Sequence, residues 1–423
     1  MREEFHFDAV VIGAGTAGLT AGARLAEGGA RVCVLAKGIG STHLAPGTVD
    51  VLGYTPERVE QPERALGELA GSRPDHPYAL LGVSAVAQAL QWFGDQVSAG
   101  PLPGYRYVGG LERNHLLPTA IGAVRPSALV PETMAAGDVT SLRRVCVVGM
   151  RALRDFHASM CAANLAKAGI AARSVAVDVE VERADESSLG VARRFDDPAW
   201  RARFAAELAP ALAADESVAL PAVLGLSDPH GAWSDLQQRL GRAVFEIPTL
   251  PPSVPGMRMF EVLQAALRRA RGRLVLGSEV VGSEREGRRV AAVRARAAGR
   301  DLRYDARWIV LATGGFASGA IELDSRWVTR ERVLGLPLRG VPGPGESRFV
   351  STYLEEQPMA RVGVAVDAGL HAEDVDNVLV VGAALPGAAP WREVSGEGIA
   401  LSSGYRAAEA VLSAESATAK VGV

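Results

Sequence analysis

Cysteine is scarce in the sequence, and its spacing excludes several classes of cofactor. The 423 residues include only three cysteines, at positions 33, 146 and 161. No pair has the C-x-x-C spacing of a zinc or iron–sulfur site. Cys33 and Cys146 lie in apolar runs, where a reduced thiol packs as a small hydrophobic side chain. We therefore expect this chain to hold no metal and to carry no iron–sulfur cluster or zinc site of its own.

Lysine is also scarce, and strong net charge and long apolar runs are missing. Lysine occurs only at positions 37, 167 and 420, and the formal net charge is −3, so no nucleic-acid surface is predicted. The apolar stretch closest to a membrane helix, residues 79–94, contains Gln88 and Gln91 and is shorter than the ~18 residues that spanning requires. The first eight residues carry acids and lead into a strand, unlike a signal peptide. We expect a cytoplasmic protein that reaches a membrane only through a partner.

Residues 7–37 contain the pattern of a nucleotide-binding βαβ unit. An apolar run at 8–12 leads into Gly13-Ala-Gly15-Thr16-Ala17-Gly18, and a helix at 19–27 and a second strand at 31–35 follow. In this pattern Gly13 allows the tight turn, Gly15 lets a phosphate approach the backbone, and Gly18 lets the helix pack on the strand. The free N–H groups that open the helix then face the anion. The alternative is a strand-to-helix turn without a ligand.

One part of the dinucleotide pattern is absent. An Asp or Glu near the end of the second strand usually holds the adenosine ribose, but here that strand ends Val34-Leu35-Ala36-Lys37. Either the cofactor has no adenosine, or another group holds the ribose.

Three further segments are candidates for cofactor contacts. The loop after the second strand contains Gly38, Ser41, Thr42, His43 and Gly47, whose hydroxyls and imidazole could hydrogen-bond a phosphate or ring; the alternative is a Ser/Thr-stabilised turn with an exposed histidine. An apolar strand at 308–311 ends in Ala312-Thr313-Gly314-Gly315, where bare backbone can pass close to a ligand. A third strand ends at Gly382, and Ser395-Gly396-Glu-Gly398 opens a helix whose positive end could stabilise negative charge.

The remaining pattern predicts an α/β protein of two interleaved parts. A first domain is predicted to comprise residues 1–78, 255–320 and 362–423, and a second mixed lobe residues 79–254 and 321–361. Within the lobe, one buried helix is expected at 79–97, and residues 144–149 followed by a helix at 152–168 form a second, structural strand-to-helix unit. Separate strands are expected at 273–276, 280–283, 290–296, 301–304 and 308–311, with a hairpin near Glu286-Gly287. Three prolines in residues 249–258 predict a rigid connector before a helix at 259–270.

These segments together resemble the flavin domain of the fumarate reductase and glycerol-3-phosphate dehydrogenase superfamily. More closely, and over nearly its whole length, the chain resembles the anaerobic glycerol-3-phosphate dehydrogenase B-subunit family. The stretches that carry this second resemblance are Ser41-Thr42-His43, Thr48-Val-Asp-Val-Leu52, His76-Pro-Tyr-Ala-Leu-Leu-Gly82, Arg144-Val-Cys-Val-Val-Gly149 and Thr249-Leu-Pro-Pro-Ser-Val-Pro-Gly256. The implied fold is a Rossmann-like flavin-binding domain of the glutathione reductase/fumarate reductase type, interrupted by a second mixed α/β lobe.

The resemblance also implies a cofactor, partners and a reaction. The family is described as using FMN, with FAD as the alternative. Its members pair with an FAD-bearing catalytic partner, the A subunit, and with an iron–sulfur, membrane-associated partner, the C subunit. The complex would oxidise sn-glycerol 3-phosphate to dihydroxyacetone phosphate and pass electrons to quinone. FMN has no adenosine ribose, so Ala36 in place of an acid would then be explained.

No residue stands out as a catalytic base. Alcohol oxidation needs a base near the substrate hydroxyl and cations for the phosphate, and the candidates are His43, His76, Arg258 and Arg392. Because they form no evident cluster, electron transfer is favoured over substrate chemistry for this chain. The alternatives are a self-sufficient FAD oxidoreductase of the same fold and a non-catalytic structural partner with a vestigial site.

Overall fold

The computed structural model describes residues 4–178, 186–352 and 355–421, with side chains up to residue 417. Its helices are α1 (Thr16–Glu27), α2 (Pro62–Ser72), α3 (Pro77–Leu81), α4 (Val83–Ser98), α5 (Glu132–Ala135), α6 (Ala158–Lys167), α7 (Ser188–Phe195), α8 (Pro198–Leu208), α9 (Pro229–Leu240), α10 (Val254–Arg269), α11 (Pro390–Glu393) and α12 (Gly396–Val421). None of these described helices is long and apolar enough to span a membrane.

The strands follow the same chain order. They are β1 (Glu4–Ile12), β2 (Val32–Ala36), β3 (Tyr107–Gly109), β4 (His115–Pro118), β5 (Val124–Ser127), β6 (Leu129–Pro131), β7 (Arg144–Met150), β8 (Ala171–Val177), β9 (Ser217–Pro221), β10 (Val244–Ile247), β11 (Arg273–Leu276), β12 (Ser278–Glu286), β13 (Arg289–Ala297), β14 (Arg300–Leu311), β15 (Ile321–Leu323), β16 (Thr329–Glu331), β17 (Leu338–Arg339), β18 (Gly363–Val364) and β19 (Val378–Val380).

The larger sheet contains a parallel layer in the order β11-β2-β1-β14-β19. Ile12 at the end of β1 pairs with Leu35 on one side and Leu311 on the other, and Leu311 pairs with Val380. The carboxyl ends of these strands therefore lie along one edge. Central residues of β1, β2 and β14 are fully buried, as expected for a parallel sheet covered on both faces.

Helices cover this sheet and hold the strand ends in place. Helix α1 packs against α10 and α12, and α4 also packs against α12. Val86 and Phe93 of α4 belong to the same hydrophobic core as the sheet. The first half of β14 pairs antiparallel with β13, and β12 pairs with β13 through the predicted hairpin.

A second, four-stranded parallel sheet is built within the described part of residues 144–247. Its order is β10-β9-β7-β8, and it has its own core, which includes Val147, Phe204, Leu220 and Phe245. Two interleaved parts built on parallel sheets match the predicted α/β class, which is confirmed. The domain boundaries given above stay a prediction. Parts of the predicted domains, at residues 1–3, 179–185, 353–354 and 422–423, lie outside the described residues.

Four predicted element boundaries are wrong. The helix expected at 152–168 begins only at Ala158, and the other three errors each have a physical reason. Residues 301–304 and 308–311 belong to one strand, because β14 pairs with β1 from Glu4↔Arg303 to Ile12↔Leu311. The helix expected to begin at 259 begins at Val254, because a proline in the first turn loses no helical hydrogen bond and the Ser253 hydroxyl accepts from Gly256 N at 3.1 Å. The single helix expected at 79–97 is broken at Gly82, whose φ is +76°.

Candidate functional site

The glycine-rich turn between β1 and α1 is packed tightly at two of its glycines and open at the third. Gly13 has a φ of +116°, and a Cβ there would collide with the carbonyl oxygen of Ala312 at the end of β14. Gly18 likewise packs on the Gly13 carbonyl, which lets α1 approach the strand. Gly15 differs, because a Cβ there would meet no atom of the described residues within 4 Å. The side-chain direction of Gly15 therefore points into open space beside the helix start, while Gly40 packs against the N and Cα of Gly15.

The start of α1 provides unpaired N–H donors at this open space. Gly15 is the N-cap residue with a φ of −77°, and no described side chain caps the helix or places an acid in its first turn. The first N–H groups of a helix have no partner within the helix, and its positive dipole end attracts anions. A cofactor phosphate fits this combination of open space, donors and potential.

The loop after β2 closes over the glycine turn. Thr42 is buried and its Oγ1 lies 3.3 Å from Oγ1 of Thr16, the first residue of α1. The start of α10 supports the loop from behind, since Ser253 N donates to His43 O at 2.9 Å and Gly47 packs on Pro255. Gly38 and Ser41 are exposed at the rim. The proline-rich connector is thus a support for the candidate phosphate loop.

His43 is half-buried rather than exposed. Its ring meets Phe260 of α10 edge-on, with ring centroids 4.9 Å apart. Burial lowers the pKa of the His43 imidazole, so the neutral form dominates at pH 7. Nε2 is buried and has no hydrogen-bond partner among the described residues. An unpaired buried nitrogen is costly, and a ligand group could satisfy it.

The ends of β14 and β19 bring the other predicted glycines to the same edge. Gly315 packs on the carbonyl of Ala383, and a Cβ at Gly382 would come within 3.0 Å of the Ala17 Cβ. Thr313 Oγ1 is buried without a partner in the described structure, and Gly314 has a φ of +85°. The three separated glycine segments therefore meet around the start of α1.

The start of α12 reaches this region as well. Gly398 N donates to Asp50 O at 3.0 Å, and a Cβ at Gly398 would collide with the Tyr78 hydroxyl. Ser395 is buried, with Oγ 3.2 Å from Glu393 Oε2, and Gly396 begins the helix. Gly398 lets the helix start pack directly on the 48–52 segment, because a Cβ there would also come within 2.7 Å of the Val51 Cα.

Glu397, between these glycines, is a residue that sequence reasoning missed. Burial, reinforced by the Asp50 charge, raises the pKa of Glu397 to about 7, although the Thr16 hydroxyl and Arg125 act in the opposite direction. Its Oε2 is buried and accepts no hydrogen bond from the described residues. The sequence gives no signal for this, because a glutamate in a first helical turn is common at solvent-exposed helix starts.

Two of the four catalytic candidates are held in structural networks. His76 is fully buried, with Nε2 3.1 Å from Glu393 Oε2, and its Nδ1 accepts from Tyr78 N at 3.1 Å. The acceptor role of Nδ1 assigns the proton of the neutral ring to Nε2. Arg258 is also fully buried, and its guanidinium donates to both carboxylate oxygens of Glu246, at 2.7 and 3.0 Å, and to Gly225 O. In these arrangements neither side chain is available to a ligand.

The other two candidates lie on different elements. His43 is at the loop described above, whereas Arg392 is exposed in α11, with its guanidinium carbon 5.7 Å from the centre of the Trp391 ring. The structure thus gathers the predicted cofactor residues and does not gather the predicted catalytic ones. The roles of all these residues stay predictions.

A carboxylate does lie beside the end of β2, where the sequence shows Ala36 and Lys37. Glu279, at the start of β12, accepts from Lys37 Nζ at 3.3 Å and from Arg332 Nη2 at 2.9 Å, both through Oε1. Because 242 residues separate Lys37 from Glu279, no local pattern could have revealed the pair.

Sequence comparison identifies the class of protein to which this arrangement belongs. The family model described as FAD binding domain matches residues 8–399, a range that includes every segment of the candidate site. The chain therefore belongs to the FAD binding domain family. The open start of α1 at the edge of a parallel sheet fits a member of that class.

Within this class, the chain belongs to the anaerobic glycerol-3-phosphate dehydrogenase B-subunit family. It is 32% identical to the B subunit of this enzyme from Pectobacterium atrosepticum over 96% of this chain and 99% of the relative. A Halobacterium salinarum protein named as a probable B subunit is also 32% identical, over 96% of this chain and 98% of that protein. The resemblance predicted from the sequence is confirmed.

Solved structures show more distant similarity. The FrdA chain of E. coli quinol fumarate reductase is 10% identical and covers 98% of this chain and 71% of its own length, with a TM-score of 0.47. The 3-ketosteroid delta1-dehydrogenase of Sterolibacterium denitrificans is 12% identical and covers 97% of this chain and 100% of its own length, with a TM-score of 0.46. The family assignment rests on the sequence matches.

Proposed function

We propose that this chain is the flavin-carrying subunit of an anaerobic sn-glycerol-3-phosphate dehydrogenase complex. The complex oxidises glycerol 3-phosphate to dihydroxyacetone phosphate and passes the electrons to quinone through partner subunits. The relatives' names support the complex and the substrate. The observation that carries the flavin part is the open space at Gly15 beside the uncapped start of α1.

The flavin, when bound, supplies the redox chemistry, and the chain's own residues hold and orient it. The N–H groups of Thr16, Ala17 and Gly18 would hold a phosphate. Thr313, His43 and Glu397 each have a buried polar atom without a partner in the described chain, and these atoms would hydrogen-bond polar atoms of the cofactor. FMN was expected because Ala36 replaces the usual acid, whereas the family description favours FAD.

Electron transfer is favoured over substrate chemistry for this chain. Oxidation of the alcohol needs a base within hydrogen-bond reach and cations for the phosphate. His76 and Arg258 are each paired with a buried glutamate, and Arg392 lies on an exposed helix. Glycerol 3-phosphate would then meet its catalytic groups on a partner, and this chain would take part in the reaction only indirectly.

The proposed partners are the FAD-bearing, catalytic A subunit and the iron–sulfur, membrane-associated C subunit of the same complex. The relatives are named as B subunits, which implies an assembly of several chains. The absence of cysteine clusters from the sequence assigns iron–sulfur chemistry to another chain. The complex would lie on the cytoplasmic face of the membrane, with this chain attached through a partner.

Flavin content tests the proposal directly. The purified chain should be yellow. The cofactor released from it should have the mass of a flavin, in an amount of one molecule per chain. Gly15→Asp should weaken flavin binding about fivefold or more, because a carboxylate about 4 Å from a phosphate repels it by at least ~1 kcal/mol. Aspartate is a favourable N-cap residue, so the helix itself should remain intact.

Gly67→Asp provides the matched control. Gly67 is exposed in α2, and a Cβ there also meets no described atom within 4 Å, so this variant should keep its flavin. A colourless protein that neither FMN nor FAD reconstitutes would overturn the proposal. Unchanged complex activity in Gly15→Asp would favour a structural partner with a vestigial site instead.

A further inference from the structure

The end of β14 leads directly into a cluster of exposed apolar side chains. Phe316 follows Gly315 in a short 3-10 turn, and its ring centroid lies 6.0 Å from that of Phe349, which in turn lies 6.3 Å from that of Trp327. Trp327 is 54% exposed, Val328 48% and Phe349 41%. We call Phe316, Trp327, Val328 and Phe349 the aromatic patch. Single exposed apolar side chains are ordinary, but a contiguous group of them marks an interaction surface.

Trp327 is held in an unfavourable conformation in the loop of the hairpin formed by β15 and β16. Its φ is +64°, which is unusual for a bulky side chain. Asp324 maintains the loop, because its Oδ1 accepts from the N–H groups of Arg326 and Val328, both at 2.9 Å. Arg330 Nη2 also donates to Asp324 Oδ2 at 2.7 Å. The chain therefore presents the indole in an ordered loop, which lowers the entropy cost of binding a partner.

Two arginines beside the indole lack an acidic partner. The guanidinium carbon of Arg348 lies 5.9 Å from the centre of the Trp327 ring, and its Nε is buried without an acceptor among the described residues. Arg326 is exposed next to Trp327 in the chain, and in the described ranges neither arginine forms an ion pair. Arg330 differs, since Asp324 neutralises it. The aromatic patch thus carries positive charge that an acidic surface would complement.

We infer that the aromatic patch is the surface that binds the catalytic A subunit of the complex. The A subunit would offer an apolar pocket to the Trp327 indole and carboxylates to Arg326 and Arg348. Tryptophan and arginine are the side chains that most often dominate the energy of protein interfaces. The inference rests on the proposed function and specifies which face of this chain meets its partner.

The position of the aromatic patch suits a partner that exchanges electrons with this chain. Ala320 N donates to Gly315 O at 3.2 Å, so the segment that leads into the hairpin is bonded to the edge where the glycine segments meet. A protein bound here would lie beside the candidate cofactor site. An anionic lipid surface fits less well, because Glu322, 47% exposed, and Glu346, also exposed, lie in the same segment and would be repelled by it.

Trp327→Ala removes the central side chain of the aromatic patch. Truncation of such a residue corresponds to roughly thirtyfold or greater weakening of an interface. Trp327→Gly should weaken binding as much, and its melting temperature should equal or exceed that of Trp327→Ala, because glycine accepts a positive φ without strain. Arg326→Glu should weaken binding at least tenfold at low salt and less at high salt, since it sets like charges against each other.

Trp391→Ala is the matched control. Trp391 is 52% exposed, and the guanidinium carbon of Arg392 lies 5.7 Å from the centre of its ring. It therefore has the same exposure and the same stacked arginine as Trp327, but it belongs to α11, outside the aromatic patch. This variant should bind the A subunit as the wild type does.

The experiment co-expresses each variant with the A subunit, purifies the complex and measures its dissociation constant from a dilution series by mass photometry. Flavin content shows whether each variant is folded. We expect Trp327→Ala and Trp327→Gly to keep their flavin and to dissociate at roughly thirtyfold higher concentration or more, and Trp391→Ala to match the wild type.

Dissociation constants equal to that of the wild type in both Trp327 variants, or equal weakening in Trp391→Ala, would overturn the inference and leave the flavin function standing. Sedimentation of the wild-type chain, but not of Trp327→Ala, with phosphatidylserine vesicles would overturn it in favour of a lipid surface if Trp327→Ala still binds the A subunit normally. A flavin-containing wild type that forms no complex with the A subunit would overturn both the inference and the proposed partner. A wild type without flavin would overturn the proposed function itself.

Discussion

Replacing Arg258 by methionine should be among the most destabilising single changes in this protein. Arg258 lies in α10, while Glu246 lies in β10 of the smaller sheet, and neither side chain has exposed surface. Burial lowers the pKa of Arg258, but the adjacent Glu246 charge more than offsets this and holds the pKa above its ordinary value. The ion pair therefore connects α10 to the smaller sheet in its charged form.

The magnitude follows from what the substitution leaves behind. Without Arg258, the partners left to the Glu246 carboxylate among the described residues are the Thr133 hydroxyl at 2.6 Å and Leu224 N at 2.8 Å. Breaking one side of a buried pair costs about 3–5 kcal/mol, and the Gly225 carbonyl also loses its donors. In the double variant Arg258→Met with Glu246→Gln, about 2 kcal/mol of this loss should return, since no charge stays buried.

Urea unfolding followed by tryptophan fluorescence measures the effect, because Trp200 lies in the core of the smaller sheet. The control is Arg144→Met, which removes an exposed pair with Asp215 at the same sheet, 3.0 Å in length. That change should cost under about 1 kcal/mol. The reasoning fails if Arg258→Met is no more destabilising than the control, or if the double variant costs the full sum of the two single changes.

Two other predictions follow from perturbed ionisation. Because burial, with the Asp50 charge, raises the pKa of Glu397 to about 7 from the ordinary 4.5, its contribution to stability is complete below pH 4.5 and is lost as pH rises through 7. Above pH 7, the free energy of unfolding of Glu397→Gln, measured in urea, should therefore be roughly 3 kcal/mol higher than that of the wild type. Near pH 4.5 the two free energies should be similar. Parallel dependences of the two free energies on pH would contradict this prediction. Burial also raises the pKa of the thiols of Cys33, Cys146 and Cys161. A thiol reagent at pH 8 should therefore label the cysteines of the unfolded chain but not those of the native protein. Rapid labelling of the native protein would refute this prediction.

The sequence predicts the glycine-rich half of the candidate site because its physical signals are local. A β-branched strand followed by glycines at fixed spacing specifies both the turn at Gly13 and the open backbone at Gly15. The ends of the strands can also be predicted, because an apolar run that ends at a glycine indicates the edge of a parallel sheet. These local signals were sufficient to predict the fold class and to predict that the three glycine segments belong to one cofactor site.

The contacts and the ionisation of the side chains could not be predicted from the sequence in the same way, because they depend on partners that are far apart in the chain. Arg258 gives the same local pattern whether it faces a ligand or, as here, Glu246. Glu279 meets Lys37 across 242 residues, so the sequence shows that β2 itself ends without an acid but cannot show which distant residue lies beside that end. The pKa of Glu397 depends on burial that only tertiary packing creates.

The order of the strands also constrains how this protein forms during translation. The strands of the smaller sheet are complete once β10 ends at Ile247, and Val254 and the Arg258–Glu246 pair complete its core shortly afterwards. Such a unit can fold while the ribosome is still extending the chain. The larger sheet must wait, because β19 and α12 come from residues 378–421. A nascent chain that stalls before β19 would hold the glycine turn at Gly13 without the strand and helix that close around it. Flavin capture is therefore expected only after residues 378–421 have been synthesised.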